Sequence, residues 1–228
     1  MRATDAAGNL DETPATQVFG AKVDTIPPDG QITDGPADGA VLNQSSVTYS
    51  FQVSDNRSIQ NTWCVVYDNA TGFPYRLPTD DPNGLASGEK LCNSPVTFEN
   101  IPDGNYTFSL YPQDRSGKTD PSPASRTFTV DTTPPQITVT GPEGTTSETP
   151  ATYTLSSNEP VTWECTFTHT FPGESTPNET GSDPCATGTK TWGINKDGTY
   201  VFTFKAADAA GNTSTVTKTL ILDRTVPT

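Results

Sequence analysis

The stretch Lys205-Ala206-Ala207-Asp208-Ala209-Ala210-Gly211-Asn212, followed by Leu222-Asp223-Arg224-Thr225-Val226-Pro227, decides how this chain is read. The same pattern occurs twice more. Upstream, Tyr111-Pro112-Gln113-Asp114-Arg115-Ser116-Gly117-Lys118 leads to Val130-Asp131-Thr132-Thr133-Pro134-Pro135. At the start, Arg2-Ala3-Thr4-Asp5-Ala6-Ala7-Gly8-Asn9 leads to Val23-Asp24-Thr25-Ile26-Pro27-Pro28. Self-similarity at a fixed period marks an array of repeated units. Asp24, Asp131 and Asp223 follow one another at about 100 residues, the size of one β-sandwich. The spacing predicts two full units, 24–131 and 132–228. Residues 1–23 then read as the last strands of a third unit.

Between these markers the chain alternates. Val47, Tyr49, Phe51 and Val53 are separated by polar residues, as are Tyr106, Phe108 and Leu110 after Asp103-Gly104. The second unit repeats this with Tyr153 and Leu155, then with Tyr200, Phe202 and Phe204 after Asp197-Gly198. A period of two puts each set on one buried face of a strand. No window carries helical periodicity. The 18 Gly and 21 Pro supply turns, and the many Thr suit strands. An all-β chain follows, with each unit a sandwich of the seven-stranded type. Asp-Gly-Xaa-Tyr ahead of Tyr106 and Tyr200 fits two arrangements. One is a corner in which the hydroxyl bonds back to the chain; the other is a plain core tyrosine after a turn.

Several ordered motifs then recur at unit spacing. They are Trp63-Cys64, Cys92-Asn93-Ser94-Pro95-Val96-Thr97-Phe98, Asp103-Gly104, Thr107-Phe108, Val130-Asp131-Thr132-Thr133-Pro134-Pro135, Ser157-Asn158-Glu159-Pro160 and Trp163-Glu164-Cys165. Together with Ala207-Asp208-Ala209-Ala210-Gly211-Asn212 they resemble the tandem bacterial Ig-like repeats of large secreted and cell-surface proteins. The resemblance implies tandem immunoglobulin-like β-sandwich modules over nearly the whole chain. It says little of function, because one fold hosts many roles. Segments 65–91 and 166–184 are longer than such repeats lead one to expect.

Each unit holds one cysteine pair at equivalent places, Cys64 with Cys92 and Cys165 with Cys185. That arrangement predicts two disulfides within units, each joining one strand to a near neighbour. Zinc would need closely spaced partners, and His169 is the only histidine. In the chain-entropy model each bridge contributes roughly 3–4 kcal/mol. Disulfides place the chain in an oxidising compartment, secreted or at the cell surface. Asn43, Asn56, Asn69, Asn105, Asn178 and Asn212 head Asn-Xaa-Ser/Thr triplets, which matter only where glycosylation machinery exists.

A net charge of -14 argues against nucleic acid and anionic membranes as partners. No apolar run reaches the length of a membrane span, so an export signal or anchor is expected outside this stretch. His169 reads as an exposed strand-end residue with no nucleophile motif beside it. No Gly-Xaa-Ser-Xaa-Gly, phosphate loop or dinucleotide fingerprint occurs. The reading is non-catalytic, with three classes open. One is a structural or adhesive segment of a larger surface protein. Another is a module binding a protein or glycan through its long inter-cysteine loops, with Phe73, Tyr75 and Phe171 as contacts. The last is a spacer in a secreted multidomain enzyme. Neighbouring modules of the same chain are the partners common to all three.

The same resemblance carries one metal expectation. In an Ig-like sandwich the B–C and F–G loops share an end with the incoming chain. Linker Asp131, loop Glu159 and loop Asp208 would then converge, with Asn212 as a further oxygen donor. In the first unit Asp24, Asp55 and Asp114 would do the same. Such oxygens suit calcium. The competing reading has Asp114 and Asp208 capping their own turns, away from the linker.

Overall fold

Alternation along Val47–Ser54 buries Val47, Tyr49 and Phe51 and turns their neighbours outward, and this simple rule builds both halves of the chain. The computed structural model describes residues 3–10, 12, 13, 23–75 and 89–226, apart from the side chains of Glu89 and Lys90. In the first half the strands are β1 (Asp29–Asp34), β2 (Ala40–Leu42), β3 (Val47–Ser54), β4 (Ile59–Asp68), β5 (Glu89–Leu91), β6 (Val96–Phe98), β7 (Gly104–Asp114) and β8 (Ala124–Val130). In the second half they are β9 (Ile137–Thr140), β10 (Gly144–Thr146), β11 (Ala151–Ser157), β12 (Thr162–Thr170), β13 (Glu179–Asp183), β14 (Gly188–Trp192), β15 (Gly198–Ala207) and β16 (Thr213–Leu222).

A three-stranded sheet, β1-β3-β6, packs on a five-stranded sheet, β2-β8-β7-β4-β5. The second half repeats the order as β9-β11-β14 on β10-β16-β15-β12-β13. This is the immunoglobulin-like sandwich. Each half has eight strands where the sequence suggested seven, because the first strand divides between the sheets. β1 pairs antiparallel with β3, and β2 then crosses to pair parallel with β8. The crossing leaves carbonyls without a ladder. The Arg126 guanidinium takes those of Ile32, Gly35 and Pro36, and Asp38 accepts from the Thr127 amide and hydroxyl.

The two cores share no residue. In the first, Tyr49 stacks on Phe108 at 4.2 Å between ring centres. In the second, Tyr153 meets Phe202 and Phe204, each at 5.1 Å. Tyr153 donates its hydroxyl to the Pro142 carbonyl, whereas the buried Tyr49 hydroxyl has no partner among the described residues. Burial pushes both phenols up to about 12.

Both tyrosine corners form. Tyr106 donates to the Pro102 carbonyl and Tyr200 to that of Lys196, each at 3.0 Å. Both disulfides form as well. Cys64 on β4 joins Cys92, just past β5, and Cys165 on β12 joins Cys185, just past β13. Each bridge thus stays within the five-stranded sheet and ties its edge strand to its neighbour. Near the start, Thr4 bridges Leu10 around a turn. Within residues 1–23, read above as the last strands of a third unit, Gln17-Val18-Phe19 and Ala21-Lys22 lie outside the described residues.

Candidate cation site at the chain entry of each unit

The repeated motif Asp-Xaa-Xaa-Gly is a piece of turn chemistry. Asp208 Oδ1 accepts the Asn212 amide at 2.9 Å, while the Gly211 amide donates to the Asp208 carbonyl. Asp114 Oδ1 takes the amides of Ser116 and Lys118 at 2.8 Å. Asp5 takes those of Ala7 and Asn9 at 2.9 Å, so the first copy keeps the same turn. The turn needs a left-handed residue at its fourth place. Gly8, Gly117 and Gly211 supply it at φ of 87°, 87° and 91°.

Capping the turn does not keep these aspartates from the linker. Carboxylate oxygens of Asp24, Asp55 and Asp114 lie within 4.8 Å of one another, and so do those of Asp131, Glu159 and Asp208. Three elements contribute to each triad: the entering chain, the β3–β4 or β11–β12 loop, and the β7–β8 or β15–β16 turn. The linker aspartates cap too, through Ile26 N on Asp24 and Thr133 N on Asp131. Asp55 gives Oδ2 to the amides of Arg57 and Ser58, and its buried Oδ1 has no partner among the described residues.

Electrostatics separate the two triads. Burial works against ionising Asp114, yet the Lys118 amide and the Ser116 hydroxyl and amide outweigh it and hold the carboxyl below its usual range. Asp208 is likewise held low by the Asn212 side chain and amide in spite of burial. Glu159 goes the other way. Burial and the charges of Asp131 and Asp208 push it up. In the first triad two cations are at hand: Arg57 Nε lies 3.8 Å from Asp24 Oδ2, and Lys118 Nζ donates to the Asp24 carbonyl. In the second, Asn212 stands in the place of Lys118. Its Nδ2 donates to the Asp131 carbonyl at 2.7 Å and to Asp208 Oδ2 at 2.9 Å. Asn212 therefore acts as a donor within the turn. Among the described residues no ion pair reaches Asp131, Glu159 or Asp208. The donor atoms are all hard oxygens, which fits calcium or magnesium better than a soft metal.

The suggested ligand contacts are scattered. Phe73 is 72% exposed. Tyr75 lies against the first core, edge-on to Tyr106, and donates to the Asn100 carbonyl. Phe171, in the other half, packs edge-on against His169 at 5.0 Å. His169 itself corrects the sequence reading: it is fully buried. It continues the inward series Trp163, Cys165, Phe167 along β12, so counting by two from Cys165 would have placed it inside.

No family model and no curated protein matches the chain. Solved structures do. The fibronectin(III)-like modules of Clostridium thermocellum CbhA align at TM-score 0.42 and 14% identity, over 85% of this chain and 94% of theirs. The first two Ig domains of DIP-gamma align at 0.41 and 12%, over 86% and 97%. A two-domain fibronectin type-III segment of chicken tenascin aligns at 0.34 and 10%, over 86% and 98%.

Proposed function

We propose that the chain is a non-catalytic, extracellular structural segment of a larger surface protein, built to hold successive Ig-like modules in fixed sequence. The observation that carries this reading is the wiring of Asp131. Its amide donates to the Leu42 carbonyl of the first half at 2.9 Å, and its carbonyl accepts from Asn212 of the second at 2.7 Å. Thr132 and Thr133 are bound in turn to Asp103 at the far end of the first half. The linker has few torsions left to move, and Pro134 and Pro135 restrict it further. Two disulfides support an oxidising compartment.

The second triad, Asp131, Glu159 and Asp208, would hold a divalent cation, with calcium the best match to its oxygens. A cation there would offset three converging charges and pin the linker to the second half. The first triad, Asp24, Asp55 and Asp114, offers the same donor set plus the unpartnered Asp55 Oδ1. NMR relaxation tests the structural reading: the two halves are expected to tumble with one correlation time, and independent tumbling overturns it. Calorimetry with millimolar calcium on chelator-treated protein tests the cation. Heat of binding with a rise in melting temperature is expected; neither appearing removes the cation and leaves hydrogen bonds and prolines to hold the junction.

A further inference from the structure

The sole histidine is built into the second half as a fully buried side chain. His169 ends the inward series of β12 and is fully buried. Its ring stacks on Tyr200 at 4.0 Å and 6°. Nδ1 lies 3.2 Å from Glu179 Oε2 on β13, and Nε2 lies 3.2 Å from the Asp197 carbonyl in the turn before β15. A carboxylate and a backbone carbonyl only accept hydrogen bonds, and a neutral imidazole carries one N–H. Only the imidazolium ion donates to both at once. A neutral ring leaves one nitrogen lone pair of a fully buried side chain facing an oxygen, a repulsive contact.

The surrounding charges are arranged for the same purpose. Glu179 also accepts from Lys196 Nζ, and the bonds from Lys196 and then His169 hold its carboxyl below the usual range. Lys196 sits over the Phe171 ring, which packs edge-on against His169. The Tyr200 hydroxyl is turned to the Lys196 carbonyl. The Asp197 carboxylate is occupied by Arg224, whose Nε donates at 2.8 Å, and another Arg224 nitrogen bonds the Asn195 carbonyl. On β12 itself the neighbours Thr168 and Thr170 do not titrate. At Gly198, φ is 137° and an added Cβ would lie 2.7 Å from Nε2 and 2.3 Å from the Thr170 carbonyl oxygen, so the turn has no room for a side chain beside the ring.

We propose that His169 is a proton-operated latch: as imidazolium it pins β12 to β13 and to the turn 195–198, and that turn in turn clamps the exit segment through Arg224. Raising the pH removes one of the two bonds and loosens turn and exit segment together.

One histidine gives one set of ring resonances, so nitrogen-15 NMR of the intact chain reads the latch without ambiguity. With both ring nitrogens protonated they are expected at imidazolium shifts with slowly exchanging protons. On crossing the ring's titration, amide protection at 195–198 and Arg224, corrected for intrinsic exchange, should fall about tenfold or more, the loss of one charge-assisted bond. A ring that stays a single neutral tautomer at every pH where the chain is folded overturns the proposal. So does protection that stays constant while the ring titrates. His169→Phe keeps the stack and removes both donors; if it folds, protection of the turn should be low and independent of pH. If it does not fold, the ring measurements on the unaltered chain decide.

Discussion

Asn212 Nδ2 donates at once to the Asp131 carbonyl and to the Asp208 carboxylate, at 2.7 and 2.9 Å. One amide group therefore closes the β15–β16 turn and fastens the incoming linker to it. Asn212→Ala removes both bonds and leaves two part-buried acceptors unmet. The second half should lose about 1–3 kcal/mol. A calorimetric scan in which its transition does not move would refute the role given to this residue.

Glu159 provides the clearest dependence on pH and cation. Its carboxyl is raised in the folded state by burial and by Asp131 and Asp208. A raised carboxyl favours folding at low pH and disfavours it as pH rises through the folded value. Glu159→Gln should therefore raise the melting temperature of the chelator-treated protein at pH 7 and blunt any gain from calcium. Lower stability without cation would show that Asp131 and Asp208 do not repel Glu159 enough to matter.

The tyrosines should separate by where their hydroxyls point. The Tyr49 hydroxyl is buried without a partner among the described residues. Tyr49→Phe should leave stability unchanged or raise it by about 1 kcal/mol. Tyr106→Phe and Tyr200→Phe break corner bonds of 3.0 Å and should each cost about 1 kcal/mol. Denaturant midpoints for the three variants rank them directly, and equal values would remove the distinction.

Reduction should weaken both halves without unfolding the pattern of strands. The bridges close loops of 28 and 20 residues. In the chain-entropy model each contributes roughly 3–4 kcal/mol. Thermal scans with and without reductant, beside far-ultraviolet circular dichroism at low temperature, measure both halves of the statement. A β spectrum lost at room temperature on reduction would contradict it.

The sandwich was legible because its signals are local and repeated: inward residues two apart from Val47 to Phe51 and from Tyr200 to Phe204, and an Asp-Xaa-Xaa-Gly turn three times over. The acid triads were legible through the resemblance, since loop order in a known sandwich places Asp131, Glu159 and Asp208 at one end. Two things were not. The split of the first strand depends on Arg126 reaching back across the sheets to Ile32, Gly35 and Pro36, a contact between residues some ninety apart in the chain. His169 was misplaced because a polar residue at a strand end reads as exposed, and only its partners on β13 and in the 195–198 turn make burial tolerable.

The parallel pairing of β2 with β8 and of β10 with β16 has a mechanical meaning. Tension applied along the chain pulls β2 towards the N-terminus and β8 towards the C-terminus. Because the strands run the same way, that force slides them lengthwise past each other. Their hydrogen bonds, together with those from Asp131 to Leu42 and from Asp223 to Thr146, are then strained simultaneously instead of peeling apart one after another. Each half thus meets a tensile pull with its strand pair loaded in shear, at the place where the chain leaves it.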